Sequence, residues 1–270
     1  MFISPMLLQK SEQPFDDDSY ITELKLDGIR IIWTKFNDKV RIYTRHKNEV
    51  TANFPELTNL NLPNGTVLDG ELIVPGKGGK PDFEAVMERF MSKKSNYPIQ
   101  YCVFDIIYKN GDNVSSLFLS QRKALLDEII PSDNPNIITV KWVYGNEMNY
   151  FDIIKQNSLE GIVMKKADSR YDIGKRSNSW LKVINYQYED IYITGLRKGE
   201  FGLLLSFLDG KPAGLMEFMP PNNRKTLYSM YKVISETDKF KFIEPIKCRV
   251  KYRNLTKKGK LRIPSFVEWL

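Results

Sequence analysis

An α+β fold is predicted: antiparallel sheets with flanking helices, followed by a smaller domain of short strands. Three observations lead there. Through the first two thirds of the 270 residues, short alternating apolar and polar runs are separated by turn residues, with only a few stretches of helical spacing. After Asn185 the strand-like runs are punctuated by Gly199, Gly202, Gly210, Pro220 and Pro221. The net charge of +7 also divides by position: residues 1–185 hold 24 Lys and Arg against 24 Asp and Glu, whereas residues 186–270 hold 16 against 9.

Taken in order, the strand candidates of the first part are 21–25, 30–35, 40–44, 66–74, 99–108, 161–165 and 179–184. Helices are predicted over 83–92, 120–130 and 147–156, where apolar residues recur at three and four. The second part offers strands at 191–196, 203–208, 214–218 and 246–252 and one helix over 225–235. About 80 residues of short strands with a single helix match the size and pattern of a small β-barrel of the OB type. The boundary falls near 185–190.

Composition narrows the function classes. With 42% hydrophobic and 27% charged residues the chain can bury a sizeable core, which excludes disorder and collagen-like repetition. The longest apolar run, near 201–208, is far short of the roughly 20 residues needed to cross a bilayer, and neither a membrane span nor a signal peptide is visible. Cys102 and Cys248 make neither a disulfide framework nor a zinc spacing, so a reducing, cytoplasmic setting is expected. A lone histidine, His46, argues against Ser-His and Cys-His hydrolases. From Lys247 to Arg262 there are eight basic residues and no acid, and Lys247, Arg249, Lys251 and Arg253 alternate with Cys248, Val250 and Tyr252. That is a strand with one basic and one buried face, suited to a polyanion.

The polar constellations come in a fixed order. TELKLDGIR places Glu23 and Lys25 on one strand face, with Asp27, Gly28 and Arg30 behind them. TVLDGELIV sets Asp69 and Glu71 on one face and Leu68, Leu72 and Val74 on the other. YCVFD puts Phe104 beside a carboxylate in an apolar strand. EGIVMKK carries Glu160 and Lys165, and SWLKV carries Lys182. Each fragment alone has an ordinary explanation as a charged rim or a solvated turn; five in one chain are harder to dismiss.

In these stretches the sequence resembles the nucleotidyltransferase superfamily of ATP-dependent DNA ligases, RNA ligases and messenger-RNA capping enzymes. KLDGIR is similar to its nucleophile motif, LDGEL to the third, YCVFD to the aromatic motif, EGIVMKK to the fourth and WLKV to the fifth. The opening PMLLQK, the stretch KPDFEAVMERF, the lead-in RYDIGKRSNSWLKV and the closing YRNLTKKGKLRIPSF extend the likeness over nearly the whole chain. The last two particularly resemble small bacterial and phage DNA ligases, which favours DNA joining. The resemblance implies an adenylyltransferase (nucleotidyltransferase) domain over 1–187 and an OB-fold DNA-binding domain over 188–270. It also implies a minimal, monomeric enzyme with no preceding DNA-binding domain, acting on nicked duplex DNA.

Residue by residue, the resemblance makes Lys25 the nucleophile that takes AMP from ATP. A lysine with a pKa near 10.4 is neutral in only about one molecule in a few thousand at pH 7, so neighbouring cations or burial must depress it. The resemblance has Glu23 read the adenine, Arg30 and Glu71 hold the ribose region, and Phe104 stack on the base. Glu71 and Glu160 would ligate Mg²⁺, with Mn²⁺ as an alternative, and Lys182 would touch the α-phosphate, with Arg176 near the phosphates. Arg45 would grip the nick 5′-phosphate, Arg262 would orient pyrophosphate, and Lys247, Arg249, Lys251 and Arg253 would face the duplex.

One departure stands out. Ile184 occupies the position where the family commonly has a second basic residue two places after the first, so a phosphate cation is missing unless Lys165, Lys166 or Arg176 compensates. Losing one such contact can cost on the order of 10² to 10³ in rate. Two rival readings follow: an RNA ligase or capping-type enzyme, and a DNA-binding relative whose joining activity is weak or lost.

Overall fold

The computed structural model describes residues 1–92 and 94–270 and falls into two compact units, Met1–Ile184 and Asn185–Leu270. In the first unit the strands are β1 (Leu7–Lys10), β2 (Tyr20–Leu24), β3 (Ile29–Phe36), β4 (Lys39–Thr44), β5 (Thr66–Ile73), β6 (Gln100–Lys109), β7 (Asp112–Asn113), β8 (Ile137–Thr139), β9 (Trp142–Tyr144), β10 (Gly161–Lys166) and β11 (Arg176–Ile184). The helices are α1 (Phe83–Met91), α2 (Leu119–Ile129) and α3 (Glu147–Gln156). One sheet runs β1-β11-β10-β2-β9; the other runs β4-β3-β5-β6-β7 with β8 also beside β6. Pairing is antiparallel except for β1 with β11 and β6 with β8.

Period-two alternation decides what each sheet faces. On the second sheet Ile31, Trp33, Leu68, Leu72 and Val103 pack with Ala85 and Val86 of α1 and Leu126 of α2. Ile32, Val67 and Ile107 join a separate cluster with Ile21 and Trp180 of the first sheet, so the two sheets face each other there. The far side of the first sheet, Tyr20, Ile162, Met164 and Val183, packs on Phe151 and Ile154 of α3. In KPDFEAV, Asp82 caps α1 by accepting from the Ala85 amide at 2.9 Å.

Two local devices shape the gap between the sheets. Asp69 pairs with Asp105 and Gly70 with Val103, which leaves Phe104 as an extra residue in β6: a β-bulge, the irregularity that re-aims a side chain. Gly28, between β2 and β3, lies so close to β5 that a Cβ there would run into the Leu72 carbonyl oxygen and come within 2.9 Å of Ile73 Cγ2.

The second unit contains β12 (Gln187–Arg197), β13 (Leu203–Phe207), β14 (Pro212–Met216), α4 (Pro221–Met230), β15 (Val233–Glu236), β16 (Phe240–Tyr252) and β17 (Ser265–Trp269). They form an antiparallel sheet ordered β14-β13-β12-β16-β15, with β17 also on β16 and a single parallel bridge joining Phe218 to Ser265. Ile191, Ile193, Leu205, Met216, Leu227, Cys248, Val250 and Phe266 fill its core.

The α+β expectation holds, and the three helices of the first unit lie within a residue or two of their predicted ends. The fourth does not. The helix expected over 225–235 begins at Pro221, whose fixed φ suits a first turn, and ends at Met230. Val233 and Ile234 belong instead to β15, as β-branched residues favour. The short strands β1, β7, β8, β9, β15 and β17 were not anticipated.

Replacing Gly28 with alanine is expected to cost about 1–3 kcal/mol, because backbone rather than a flexible side chain occupies the space. Urea unfolding measures it; an unchanged midpoint would mean the turn can relax.

Candidate active site

Strand alternation assembles a small pocket in the first unit, about 60 Å³ in volume. Glu23 and Lys25 come from β2 and the residue after it, Arg30 from β3, Glu71 from β5, Phe104 from the β6 bulge, Val163 and Lys165 from β10, and Trp180 from β11. Leu8, Leu24, Leu26 and Val140 complete an apolar lining. The pocket therefore combines an aromatic and aliphatic wall with a few convergent charges, the usual make-up of a small-molecule site.

Lys25 is anchored by its own amide, which donates to the Gly161 carbonyl at 2.9 Å. Its ammonium donates to Glu160 Oε2 at 2.9 Å, with the lysine side chain 20% and the glutamate 4% exposed. Arg30 is held bidentately by Asp69 at 2.9 and 2.6 Å, and Tyr171 donates its hydroxyl to the same carboxylate at 2.6 Å. Burial opposes the charge on Arg30, but Asp69 more than offsets it, so the guanidinium stays protonated. It lies 5.3 Å from the Phe104 ring centre.

Arg30 and Glu71 are register partners on β3 and β5. Burial pushes the Glu71 carboxyl from its ordinary 4.5 up to about 8, in spite of Lys25 and Arg30 nearby, with Glu160 and Asp69 adding to the rise. At neutral pH it is therefore mostly protonated and able to donate a hydrogen bond.

At the other end, Glu23 is 2% exposed and lies between two lysines: Lys123 of α2 donates to Oε1, and Lys165 Nζ is 2.7 Å from Oε2. Lys165 also lies 4.4 Å from the Phe104 ring centre and 4.1 Å from that of Trp180. Burial brings its pKa down to about 8; Glu23 opposes the fall and Lys123 adds to it. Lys165 thus lies in the pocket lining between the Glu23 carboxylate and the aromatic wall.

Of the residues expected from sequence, Glu23, Lys25, Arg30, Glu71 and Phe104 line this one pocket, and Glu160 touches it through Lys25. Lys182 is the register partner of Val163, which pairs with Glu23, so all three share a sheet face. Lys25 meets Gly161 across the ladder and Gly161 meets Ile184, which places Ile184 in the nucleophile's own row. Of the other expected compensators, Lys166 is exposed beside Tyr20, whereas Arg176, also exposed, donates to the carbonyl of Leu8, a residue of the pocket lining. Arg45 is exposed in a turn and contacts His46 at 3.0 Å. Lys10 of β1 is the register partner of Lys182.

In the second unit the alternation of β16 is as expected: Cys248, Val250 and Tyr252 are buried while Lys247, Arg249 and Lys251 are half-exposed. Neighbouring strands bring carboxylates that this segment lacks. Arg249 is bound by Asp190 at 2.8 and 3.4 Å and by Glu268 at 3.2 Å, so its charge is answered within the sheet. Lys251 lies 4.9 Å from the Tyr186 ring centre. The Arg262 guanidinium is 3.4 Å from Asn254 Oδ1.

Sequence reading missed Lys123 and, as pocket walls, Leu8 and Val140. A signal for Lys123 exists: Leu119, Arg122, Lys123 and Leu126 fall at i, i+3, i+4 and i+7, so two charged residues occupy the buried stripe of α2. Arg122 is bound to Asp105 at 2.7 and 2.9 Å, both side chains fully buried.

The pocket, with Lys25 in its lining, lies among the strands of two β-sheets that face each other. The family model described as ATP dependent DNA ligase domain matches residues 5–183. The SPbeta prophage-derived DNA ligase-like protein LigB of Bacillus subtilis is 56% identical over 269 residues, covering 100% of this chain and 99% of that protein. DNA ligase B of Mycobacterium tuberculosis is 30% identical over 73% of this chain, which spans 42% of that relative's length. Among solved structures, mycobacterial DNA ligase D complexed with ATP and MES superimposes with a TM-score of 0.64 at 23% identity, over 99% of this chain and 95% of that one. A structure of Lig E DNA ligases gives 0.71 at 18% identity over the whole of both chains; these two likenesses concern the fold. The chain belongs to the ATP-dependent DNA ligase family. Among the described residues, no helix is long and apolar enough to cross a membrane.

The raised carboxyl of Glu71 carries a linkage consequence. A group whose folded pKa lies above its unfolded value contributes stability below the unfolded value and loses it as pH rises through the folded one. Between pH 4.5 and 8 the wild type should therefore lose up to about 1.4 kcal/mol per pH unit relative to Glu71→Gln. Urea unfolding of both proteins at pH 5, 6.5 and 8 checks this; parallel curves would refute it.

Proposed function

We propose that the first unit is the adenylyltransferase domain and that Lys25 forms a phosphoramidate with AMP. AMP then passes to the 5′-phosphate of nicked duplex DNA, and a 3′-hydroxyl displaces it to seal the strand. The observation that carries this reading is the Lys25 amine, enclosed beside Phe104, Trp180 and Glu23 in a single pocket.

The aromatic wall takes the purine and Glu23 its polar edge, while protonated Glu71 and the adjacent Arg30 bind ribose hydroxyls. Lys25 Nζ, released from Glu160, attacks the α-phosphorus as pyrophosphate leaves; Glu160 Oε2 is an acceptor within reach of the departing proton. Negative charge developing on the phosphate oxygens is met by Arg30 and by Lys182, with Lys10 beside it. Glu160 and the substrate phosphates suit Mg²⁺, which typically takes one or two carboxylates and keeps several waters; Glu71, mostly protonated, is the weaker ligand. Bound there, the ion would neutralise phosphate charge.

The second unit is read as the OB-fold DNA-binding domain, with Lys247, Lys251 and Arg253 on phosphates and Arg249 the lesser contributor because Asp190 and Glu268 already hold it. Arg45 is assigned to the nick 5′-phosphate, Arg176 to the phosphate side of the pocket and Arg262 to pyrophosphate. With Ile184 in the row of Lys25, slow joining after normal lysine adenylylation is the second reading.

Incubation with α-labelled ATP and Mg²⁺ followed by denaturation should leave label on the chain and none on Lys25→Ala; label from GTP and not ATP would favour capping chemistry. Phe104→Ala should raise the KM for ATP with DNA binding preserved, and equal loss of both would indicate a core role. On nicked duplex, six phosphate contacts would give a log-log salt slope of about −5. Adenylylation without joining would support the second reading.

A further inference from the structure

Two buried lysines flank one buried carboxylate of the pocket lining. Lys123 is 1% exposed, Lys165 2% and Glu23 2%. A single Glu–Lys pair would already be neutral, so charge balance does not call for the second lysine, and burying an additional ammonium is costly. Nor does the wider cluster need it: Asp105, the other buried acid nearby, already has Arg122.

What the second lysine does supply is direction. A carboxylate held by one partner can turn about its last torsion. Hydrogen-bonded at Oε1 by Lys123 and ion-paired at Oε2 with Lys165, it keeps one plane, with the remaining lone pairs available to whatever enters the pocket it lines. An ionised carboxylate only accepts hydrogen bonds. It rewards an exocyclic amine on a purine and repels a carbonyl oxygen at the same position, which separates a 6-aminopurine from a 6-oxopurine.

We propose that Lys123 of α2 is a positioning residue for base selection: it locks the Glu23 carboxylate so that the site accepts a 6-amino purine nucleotide and rejects a 6-oxo one. The inference rests on the lysyl-nucleotide chemistry proposed above and goes beyond it, because Lys123 acts through Glu23 and touches no reacting atom.

The test compares ATP with ITP, which differ at purine position 6 in the group that faces the carboxylate. Covalent labelling of Lys25 from each nucleotide yields kcat/KM for wild type, Lys123→Met and Lys123→Arg. Wild type should prefer ATP on the order of 10²-fold or more, and Lys123→Met should lose at least about tenfold of that preference. Most of the loss should lie in the KM for ATP, and Lys123→Arg should retain the preference. Equal falls for both nucleotides in Lys123→Met would assign the residue to packing and overturn the proposal, as would a wild type that uses ATP and ITP alike. If Lys123→Met does not fold, Lys123→Leu, which likewise removes the donor, is read in the same way. A wild type that takes label from no nucleotide would instead strike at the lysyl-nucleotide reading itself.

Discussion

Charge without water governs the first unit. Where its two sheets face each other, Ile21, Ile32, Val67, Ile107 and Trp180 make an ordinary apolar seam. The same strands, a few residues along, place Arg30 with Asp69 and Glu23 with two lysines. A buried ion left alone costs several kcal/mol, and removing one partner of a buried pair typically costs 3–5 kcal/mol. The pocket is thus a region where the inner faces change from apolar to ionic, and each ion depends on a partner from another strand or helix. Stability and site geometry are consequently coupled: Asp69 holds Arg30, Tyr171 holds Asp69, and the Met6 amide donates to the Tyr171 hydroxyl at 3.0 Å.

The strands that build this arrangement were largely legible in the amino-acid sequence because each buries one face, and period two then fixes which residues look inward. Glu23 with Lys25 and Asp69 with Glu71 were placed on shared faces by that rule alone. The edge strand β1 was not legible: four residues, none of them fully buried, leave no alternation to read. The bulge was also invisible, since an extra residue in β6 appears only once β5 is set beside it. Lys123 was hidden for a different reason. A lysine in a helix ordinarily signals a solvated face, and only the carboxylate of Glu23, 100 positions away in the chain, explains its burial.

In the second unit, sequence alone exaggerated the basic stripe. Eight cations without an acid between Lys247 and Arg262 suggested an unopposed positive face, yet antiparallel pairing sets Asp190 and Glu268 opposite Arg249. Local charge counting fails in sheets because the electrostatic neighbours of a strand residue belong to other strands. What remains for a polyanion is a narrower positive face, with tyrosines 188 and 192 in the ladder positions opposite Lys251 and Lys247.

The irregularity in β6 has an implication for how this chain can vary. The orientation of the aromatic ring at position 104 depends on residue count as much as on residue identity. Exchanging phenylalanine for another flat side chain keeps the ladder phase. Deleting one residue between Gln100 and Val103 would let β6 close into regular pairing with β5 and turn the ring away from the cavity. Length changes in this strand should therefore be far less tolerable than substitutions, and insertions and deletions among its kin are expected to gather in the connecting loops.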